Sequence, residues 1–190
     1  MIIEGLVTST NADGSTRLAP MGPRMAADGR SFLLRPFPTS KTGQNLLRTR
    51  EGVFHITDDV GLFARAAVGE ASLPPVFPAR VVSGAVLADC CRWLEFRIVE
   101  IDTRGERLAL TAEIVREERL RDMPGFNRAR HAVLEAAILA TRLHILPSNE
   151  VAREIARMAT IVEKTGGETE REAWEFIAGY IGDRFQGNCR

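Results

Sequence analysis

The stretch Arg35-Pro36-Phe37-Pro38-Thr39-Ser40-Lys41-Thr42-Gly43-Gln44-Asn45 gathers a guanidinium, an ammonium and three hydroxyls behind a pair of prolines. Proline fixes φ and offers no ladder donor, so the pair forces a turn between the extended pattern before it and the helical pattern after it. A helix start carries unpaired N–H groups and the positive end of the helix dipole. Arg35 adds a planar fork, Lys41 a point charge, and Thr39, Ser40 and Thr42 supply hydroxyls. Together these suit an anion such as a phosphate. The same residues equally suit a helix capped by Thr or Ser with its two cations solvated. Glycine arrives only at Gly43 and no GxGxxG follows a strand, so neither a Walker loop nor a dinucleotide fingerprint is present.

A second constellation is Leu18-Ala19-Pro20-Met21-Gly22-Pro23-Arg24. A strand broken by proline and glycine leaves backbone N–H and C=O groups that a planar heterocycle could use, and Met21 offers a polarizable face. The alternative is an edge strand guarded by its prolines. Asp58-Asp59, at a strand end, fits either a ligand hydroxyl or ring edge, or an exposed turn. His55 lies in an apolar strand and reads as a satisfied core residue. His131 and Glu135 stand four apart on a helix without a third ligand, so no metal site is expected. There is no Ser-His-Asp set and no GxSxG elbow. Arg128, Arg130 and His131 crowd the first turn of a helix, where cations are unfavourable. An anionic partner would offset them, and solvent is the other possibility.

The elements that position these groups follow from turn signals and periodicity. Met1–Ser9, Arg17–Ala26 and Arg30–Arg35 read as three strands joined at Asn11-Ala12-Asp13-Gly14 and Ala27-Asp28-Gly29, a meander that delivers the chain to the Arg35–Asn45 stretch. Thr42–Arg50 is predicted helical and ended by Gly52. Val53–Thr57 is a strand, Leu62–Val68 a short helix, and Ser72–Pro78 a proline-rich loop. Arg92–Asp102 and Arg107–Arg116 alternate as two longer strands linked by Thr103-Arg104-Gly105-Glu106. Six strands with short connections and no βαβ alternation predict a small antiparallel barrel, a mainly β fold with α. Beyond it, apolar stripes predict three helices: Asn127–Ile145, Asn149–Lys164, and a last one opened by the capping box Thr169-x-x-Glu172 and carrying Trp174, Ile177, Tyr180 and Ile181. The predicted division is a barrel domain at 1–122 and a helical region at 123–190.

Composition narrows the partners. The chain has 190 residues, 45% hydrophobic, with 25 basic and 25 acidic side chains. Zero net charge gives no bulk attraction for nucleic acid or for anionic membranes, so an anion must be met by a local site. No run of apolar residues is long enough for a membrane span, and Met1-Ile2-Ile3-Glu4-Gly5 lacks the basic start of a signal peptide. Cys90, Cys91 and Cys189 form no CxxC, and an odd count fits the reducing cytoplasm. Cys90 and Cys91 read as strand-end residues on opposite faces.

The order of elements resembles the FMN-binding split barrel of flavin reductases and pyridoxamine-phosphate-oxidase-like proteins. Ile3-Glu4-Gly5, Ala19 to Arg24, Thr39 to Asn45, Asp58, Asn127 to Ala136 and Thr141-Arg142 together resemble the domain-of-unknown-function family 447. That resemblance implies a six-stranded split barrel followed by a three-helix module, and a homodimer with FMN near the subunit interface. It implies that Arg35, Thr39, Ser40, Lys41 and Thr42 hold the phosphate and that Ala19, Met21 and Gly22 line the ring. Arg24, Asn45 and Asp58 are further cofactor-binding candidates. The implied activity is a flavin-dependent oxidoreductase fed by a reduced nicotinamide or another small electron partner. The alternatives are a non-catalytic flavin carrier or sensor, or a phosphate-binding module without flavin. The helical tail departs from the simplest flavin reductases, so their reaction does not transfer with the fold.

Overall fold

A computed structural model of the chain describes residues 1–187; Cys189 lies outside them. Two compact units are present. One comprises Met1–Thr57 and Ser72–Met123, and the other joins Asp58–Ala71 to the residues from Pro124 onward.

The first unit is a curled antiparallel half-barrel. Its strands are β1 (Gly5–Thr10), β2 (Thr16–Met21), β3 (Arg24–Met25), β4 (Ser31–Leu34), β5 (Glu51–Ile56), β8 (Arg92–Asp102) and β9 (Ala109–Arg119), in the sheet order β2-β1-β5-β8-β9-β4-β3. A two-stranded sheet of β6 (Val76–Pro78) and β7 (Ala85–Leu87) accompanies it. The main sheet therefore has seven strands rather than six, and Ser72–Pro78 is not wholly loop. The expected hairpin turns are present, with φ of 85° at Gly14 and 67° at Gly29, a region glycine enters freely.

The expected three-strand meander is present, its middle strand broken at Gly22-Pro23 into β2 and β3. β1 pairs with β2, Gly5 opposite Met21; the bridge of Ile2 to Arg24 continues the same register across the break; and β3 pairs with β4, Arg24 opposite Leu33. β4 in turn pairs with β9, Leu34 opposite Leu110, so the two ends of the sheet order meet on one bent strand. Pro20 lies in β2, which has a strand on one side only, and Pro23 stands at the break. The opening residues complete the curl. Ile3 N–H donates to Pro23 C=O at 3.2 Å, Met25 N–H donates to Met1 C=O at 2.9 Å, and Ile2 bridges Arg24.

The barrel core is Val7, Phe32, Leu34, Leu46, Phe54, Leu94, Phe96, Ile98, Leu108, Leu110 and Ala112. Phe32 meets Phe96 edge-on with centroids 5.1 Å apart. α1 (Lys41–Thr49) contributes Leu46 and stops at Arg50, whose φ is 55°, so Arg50 and not Gly52 ends the helix. Gly52 is instead a β5 residue opposite Phe96, and a Cβ there would fall 2.6 Å from the Phe96 ring. Trp93 and Phe96 stand three apart on β8 and so face opposite sides of the sheet, Phe96 in the barrel core and Trp93 edge-on against Phe77 of β6.

The second unit contains α2 (Val60–Val68), α3 (Arg128–Ala140), α4 (Ser148–Thr165) and α5 (Glu168–Gly187). α3 buries Ala129, Ala132, Val133, Ala136, Ala137 and Ala140. Such small side chains let neighbouring helices approach from several sides, and α2, α4 and α5 all pack on it. α2 lies within 1–122 in sequence yet packs with the C-terminal helices, because Val60, Phe63, Ala64 and Ala66 form a stripe that α3 and α5 cover. The α5 cap sits two residues earlier than predicted. Glu170 Oε2 accepts from Gly167 N–H at 2.9 Å, so Glu170 rather than Glu172 fills the reciprocal carboxylate position. Among the described residues, no helix is long and apolar enough to cross a membrane.

Candidate functional site

Strand register builds the site. Arg24 stands opposite Leu33 on β3–β4, so continuing that pairing outward sets Gly22 opposite Arg35. Leu34 stands opposite Leu110 on β4–β9, so the same continuation sets Phe37 opposite Arg107. Contacts follow this geometry. Leu108 N–H donates to Pro36 C=O at 3.0 Å, Arg107 Nη1 donates to Arg35 C=O at 3.4 Å, and Arg107 Cζ lies 4.0 Å from the Phe37 ring centroid. The result is a hollow of about 270 Å³ lined by Ile2, Gly22, Arg24, Leu33, Arg35 and Arg107. Three guanidinium-bearing side chains line it, and no carboxylate does. At Gly22 the backbone passes so near Glu4 that a Cβ would fall 2.6 Å from Glu4 Oε1.

The turn into α1 is fixed by Ser40. Its hydroxyl donates to Phe37 C=O at 2.7 Å and accepts from Gly43 N–H at 3.1 Å, making it the N-cap. Gly43 is required by this tight corner, since a Cβ would lie 2.6 Å from Phe37 O. Thr39 and Lys41 are exposed, and Thr42 is buried beside them. Lys41 lies close enough to the β1–β2 turn that, after the dominant Ser15 hydrogen bonds, it helps hold the Asp13 carboxyl below its ordinary range. Asn45 is buried, donating from Nδ2 to Ser9 Oγ at 3.1 Å and Asn11 Oδ1 at 2.8 Å. Its side-chain amide ties α1 to the end of β1.

Ala19 and Met21 lie on terminal strand β2. Met21 packs its side chain against the barrel core and Ala19 is nearly buried, so toward a ring this strand presents chiefly the outer backbone edge that β1 leaves unpaired. The structure thus brings Gly22, Arg24 and Arg35 together around one hollow and sets Thr39, Ser40, Lys41 and Thr42 on the turn that follows it. Asp58 belongs to the helical unit, where Oδ2 accepts from Arg130 Nη1 at 3.1 Å. Arg130 Nε also donates to Glu170 Oε1 at 2.8 Å, so the cation placed at the α3 start is answered by two carboxylates.

His55 is fully buried. Its Nδ1 stands 3.1 Å from Leu6 C=O, and Leu87 N–H donates to its Nε2 at 3.1 Å. Donation from Nδ1–H to Leu6 satisfies both nitrogens of a neutral ring, and burial lowers its pKa to about 4. Cys90 and Cys91 are buried thiols just before β8, and burial pushes Cys90 up to about 12. Arg107 is the site residue that sequence reasoning missed. It lies at the end of an ordinary hairpin, and only the β4–β9 register carries it to Phe37.

A curled antiparallel half-barrel with an arginine-lined hollow beside the first helix, accompanied by a helical unit, defines a protein of the split-barrel type. Residues 3–121 match the family described as protein of unknown function DUF447, N-terminal domain, and residues 127–179 match protein of unknown function DUF447. The chain belongs to the DUF447 family. It is similar to the crystal structure of an FMN-bound family member from Methanosarcina mazei, with 22% identity over 94% of each chain and a TM-score of 0.81. It is also similar to 2-nitrobenzoate 2-nitroreductase from Pseudomonas fluorescens (18% identity, 62% of this chain and 64% of that one, TM-score 0.52). A third similar structure is an NADH:FAD oxidoreductase from Streptomyces globisporus (12% identity, 62% of this chain and 71% of that one, TM-score 0.53). No curated protein matches the chain.

Proposed function

We propose that the chain binds FMN and acts as a flavin-dependent oxidoreductase of the flavin reductase kind. The observation that carries the reading is the hollow in which Gly22, Arg24 and Arg35 meet, next to the Thr39–Thr42 turn. A phosphate ester is nearly dianionic and takes several convergent donors, and guanidinium groups, an exposed ammonium and exposed hydroxyl chemistry at Thr39 fit that group. The FMN-bound family member and the reductases sharing the fold support the cofactor class.

In this reading Arg35, Thr39 and Lys41 bind the phosphate. Ser40 and Thr42 shape the helix start whose free N–H groups face it, and Asn45 holds that helix in register with β1. The Ala19–Gly22 edge offers backbone groups to the ring, with Met21 anchoring the strand from the core side. FMN, when bound, supplies transfer of hydride or electrons between a reduced donor and an acceptor, and the protein orients the flavin and limits its access to water. Asp58 is engaged by Arg130 and takes a structural part in the helical unit. We further propose a homodimer with FMN near its interface, which gives both ring faces an escape from water, and a cytoplasmic setting, in keeping with buried free thiols at Cys90 and Cys91.

The test is reconstitution with FMN, FAD and riboflavin, followed by absorbance and fluorescence titration and then turnover with a reduced nicotinamide. Preference for FMN with turnover supports the full reading. Preference without turnover leaves a carrier, and equal affinity for riboflavin removes the phosphate argument.

A further inference from the structure

We infer that the helical unit carries a binding site of its own, a hollow between the ends of α2, α3 and α5 that takes a planar aromatic molecule bearing one carboxylate, with Arg184 holding the acid. The site uses none of the barrel residues assigned to FMN.

The hollow follows from where the helices stop. α2 ends at Val68, because Gly69 turns away with a φ of 83°, and α3 ends at Ala140. α5 packs against both, and its last turns close the third side. Ala67 and Ala140 each offer the space a single methyl group, too little to fill it. What remains measures about 480 Å³, against about 270 Å³ for the arginine-lined hollow of the barrel. A cavity of about 150 Å³ accepts one benzene ring, so this one has room for two fused rings and an acid group.

Its walls divide by chemistry. Tyr180 and Phe185, both half-buried, supply aromatic surface that favours a flat ring over water. The polar side holds Thr141, His144 and Arg184. The Thr141 hydroxyl already donates to Ile138 C=O at 2.7 Å, so Arg184 and His144 carry the donors left for a ligand. No carboxylate lines the hollow. Among the described residues none pairs with Arg184, and this includes its chain neighbour Asp183 and Glu70 beyond α2. By contrast, Arg130 and Arg157 of the same unit each meet a carboxylate.

Arg184 is also positioned. It stands four residues after Tyr180, on the same face of α5, and its guanidinium carbon lies 5.0 Å from the Tyr180 ring centroid. A guanidinium held against a ring keeps N–H groups on its edge for a carboxylate, and it loses less freedom on binding than a free one. The backbone sets the charge of the ligand. α2 and α3 both end at the hollow, and the carbonyl ends of helices disfavour an anion. One guanidinium set against them suits a single negative charge, whereas a phosphate dianion needs several convergent donors. A small acid leaves the aromatic wall wet, and a neutral ring leaves Arg184 without a partner. The two sides together select a molecule with both features.

The experiment titrates the full chain by calorimetry with three probes, 2-naphthoate, 2-naphthamide and acetate, in the presence and absence of FMN. Wild type is expected to bind 2-naphthoate saturably, the amide about tenfold more weakly or worse, and acetate not measurably. Loss of one charge-assisted contact in Arg184→Gln predicts about 10- to 100-fold weaker naphthoate binding with the amide unchanged. Arg184→Lys should recover part of that loss. Ala67→Leu fills the hollow from a half-buried helical position and should abolish binding of both naphthalene probes. Thermal melts of the ligand-free proteins give the structural readout, and the exposed Arg184 predicts little change. Should Ala67→Leu melt early, Arg184→Gln decides alone. No saturable naphthoate binding by wild type overturns the inference, as does equal affinity for the amide or for acetate. Naphthoate affinity unchanged in Arg184→Gln, or surviving in a folded Ala67→Leu, also overturns it. Naphthoate that FMN displaces occupies the flavin's place and overturns it too.

Discussion

Asp58 Oδ2 accepts a hydrogen bond from Arg130 Nη1 at 3.1 Å, joining residues 72 positions apart. Asp58 directly precedes the α2 cap Asp59, and Arg130 opens α3, so one guanidinium fastens the inserted helix to the C-terminal ones. Arg130→Ala would leave the Asp58 and Glu170 carboxylates, whose side chains are 10% and 7% exposed, without this cation. The expected loss is roughly 2–4 kcal/mol, the range for a broken buried pair reduced for the partial exposure of the arginine. Urea unfolding followed by Trp174 fluorescence, in a background where Trp93 is replaced by Phe, checks it.

His55 makes stability depend on pH. The unfolded ring protonates near 6.5 and the buried ring only at about 4, so between these values the unfolded chain binds more protons. Its contribution is complete above pH 6.5 and is lost as pH falls toward 4, a total of roughly 3 kcal/mol. His55→Phe would abolish that slope. At pH 8 it would lower stability by about 2–4 kcal/mol, since Leu6 C=O and Leu87 N–H lose a partner. Denaturant midpoints measured from pH 8 to pH 4 separate the two proteins.

Glu95 holds the β6–β7 connection. Its carboxylate accepts from Arg80, Val81 and Val82 N–H at 3.0, 2.6 and 3.0 Å and from Trp93 Nε1 at 3.3 Å. Burial pushes its pKa up, but these donors outweigh burial and hold it below the ordinary 4.5. Its contribution therefore stands above pH 4.5 and disappears as pH falls through the lower folded value. Glu95→Gln would keep the shape yet replace one acceptor oxygen by a donor. Amide exchange at Arg80–Val82 should accelerate on the order of tenfold or more, while exchange at Leu110 stays slow.

Arg35→Ala combined with Lys41→Ala should weaken FMN by roughly a hundred- to ten-thousand-fold, two charge-assisted contacts at about 1.5–3 kcal/mol each. Both side chains are exposed, so the melting temperature without ligand should hold. Isothermal titration with FMN, beside thermal melts, checks both statements.

The homodimer is tested by analytical ultracentrifugation over a wide concentration range, with and without FMN. A dimer that persists on dilution is expected, and a monomer that binds FMN stoichiometrically would remove the assembly and its role in the site.

Legibility followed the range of the signal. Asp13-Gly14, Asp28-Gly29 and Asn127 act on their immediate neighbours, and each turn or helix start lies where the sequence put it; α3 stops at Ala140, short of the expected Ile145, and Pro147 is the N-cap of α4 rather than the end of α3. The α1 stretch was readable for the same reason. β6 and β7 were hidden because three-residue strands amid prolines have no period of their own, and the support beneath their connection comes from Glu95 on β8. Asp58 read as a ligand group or an exposed turn because its partner Arg130 is distant in sequence. Arg107 was invisible in the same way. The split between β2 and β3 was visible as a break at Gly22-Pro23 within one predicted strand, but a break does not say that the strand bends there to pair with both the opening residues and β4.

That bend has a consequence for synthesis. Hairpins β1–β2 and β3–β4 are local and can form as soon as they leave the ribosome, on microsecond timescales. They share one bent strand, and the bridge of Ile2 to Arg24 ties them together without help from the rest of the sheet. β5, β8 and β9 come later and join β1 to β4 from the other side. Arg24 and Arg35 are made early and must wait for Arg107, which arrives just before the last strand. A nascent chain therefore has no complete arginine-lined hollow until the barrel segment has been translated through β9.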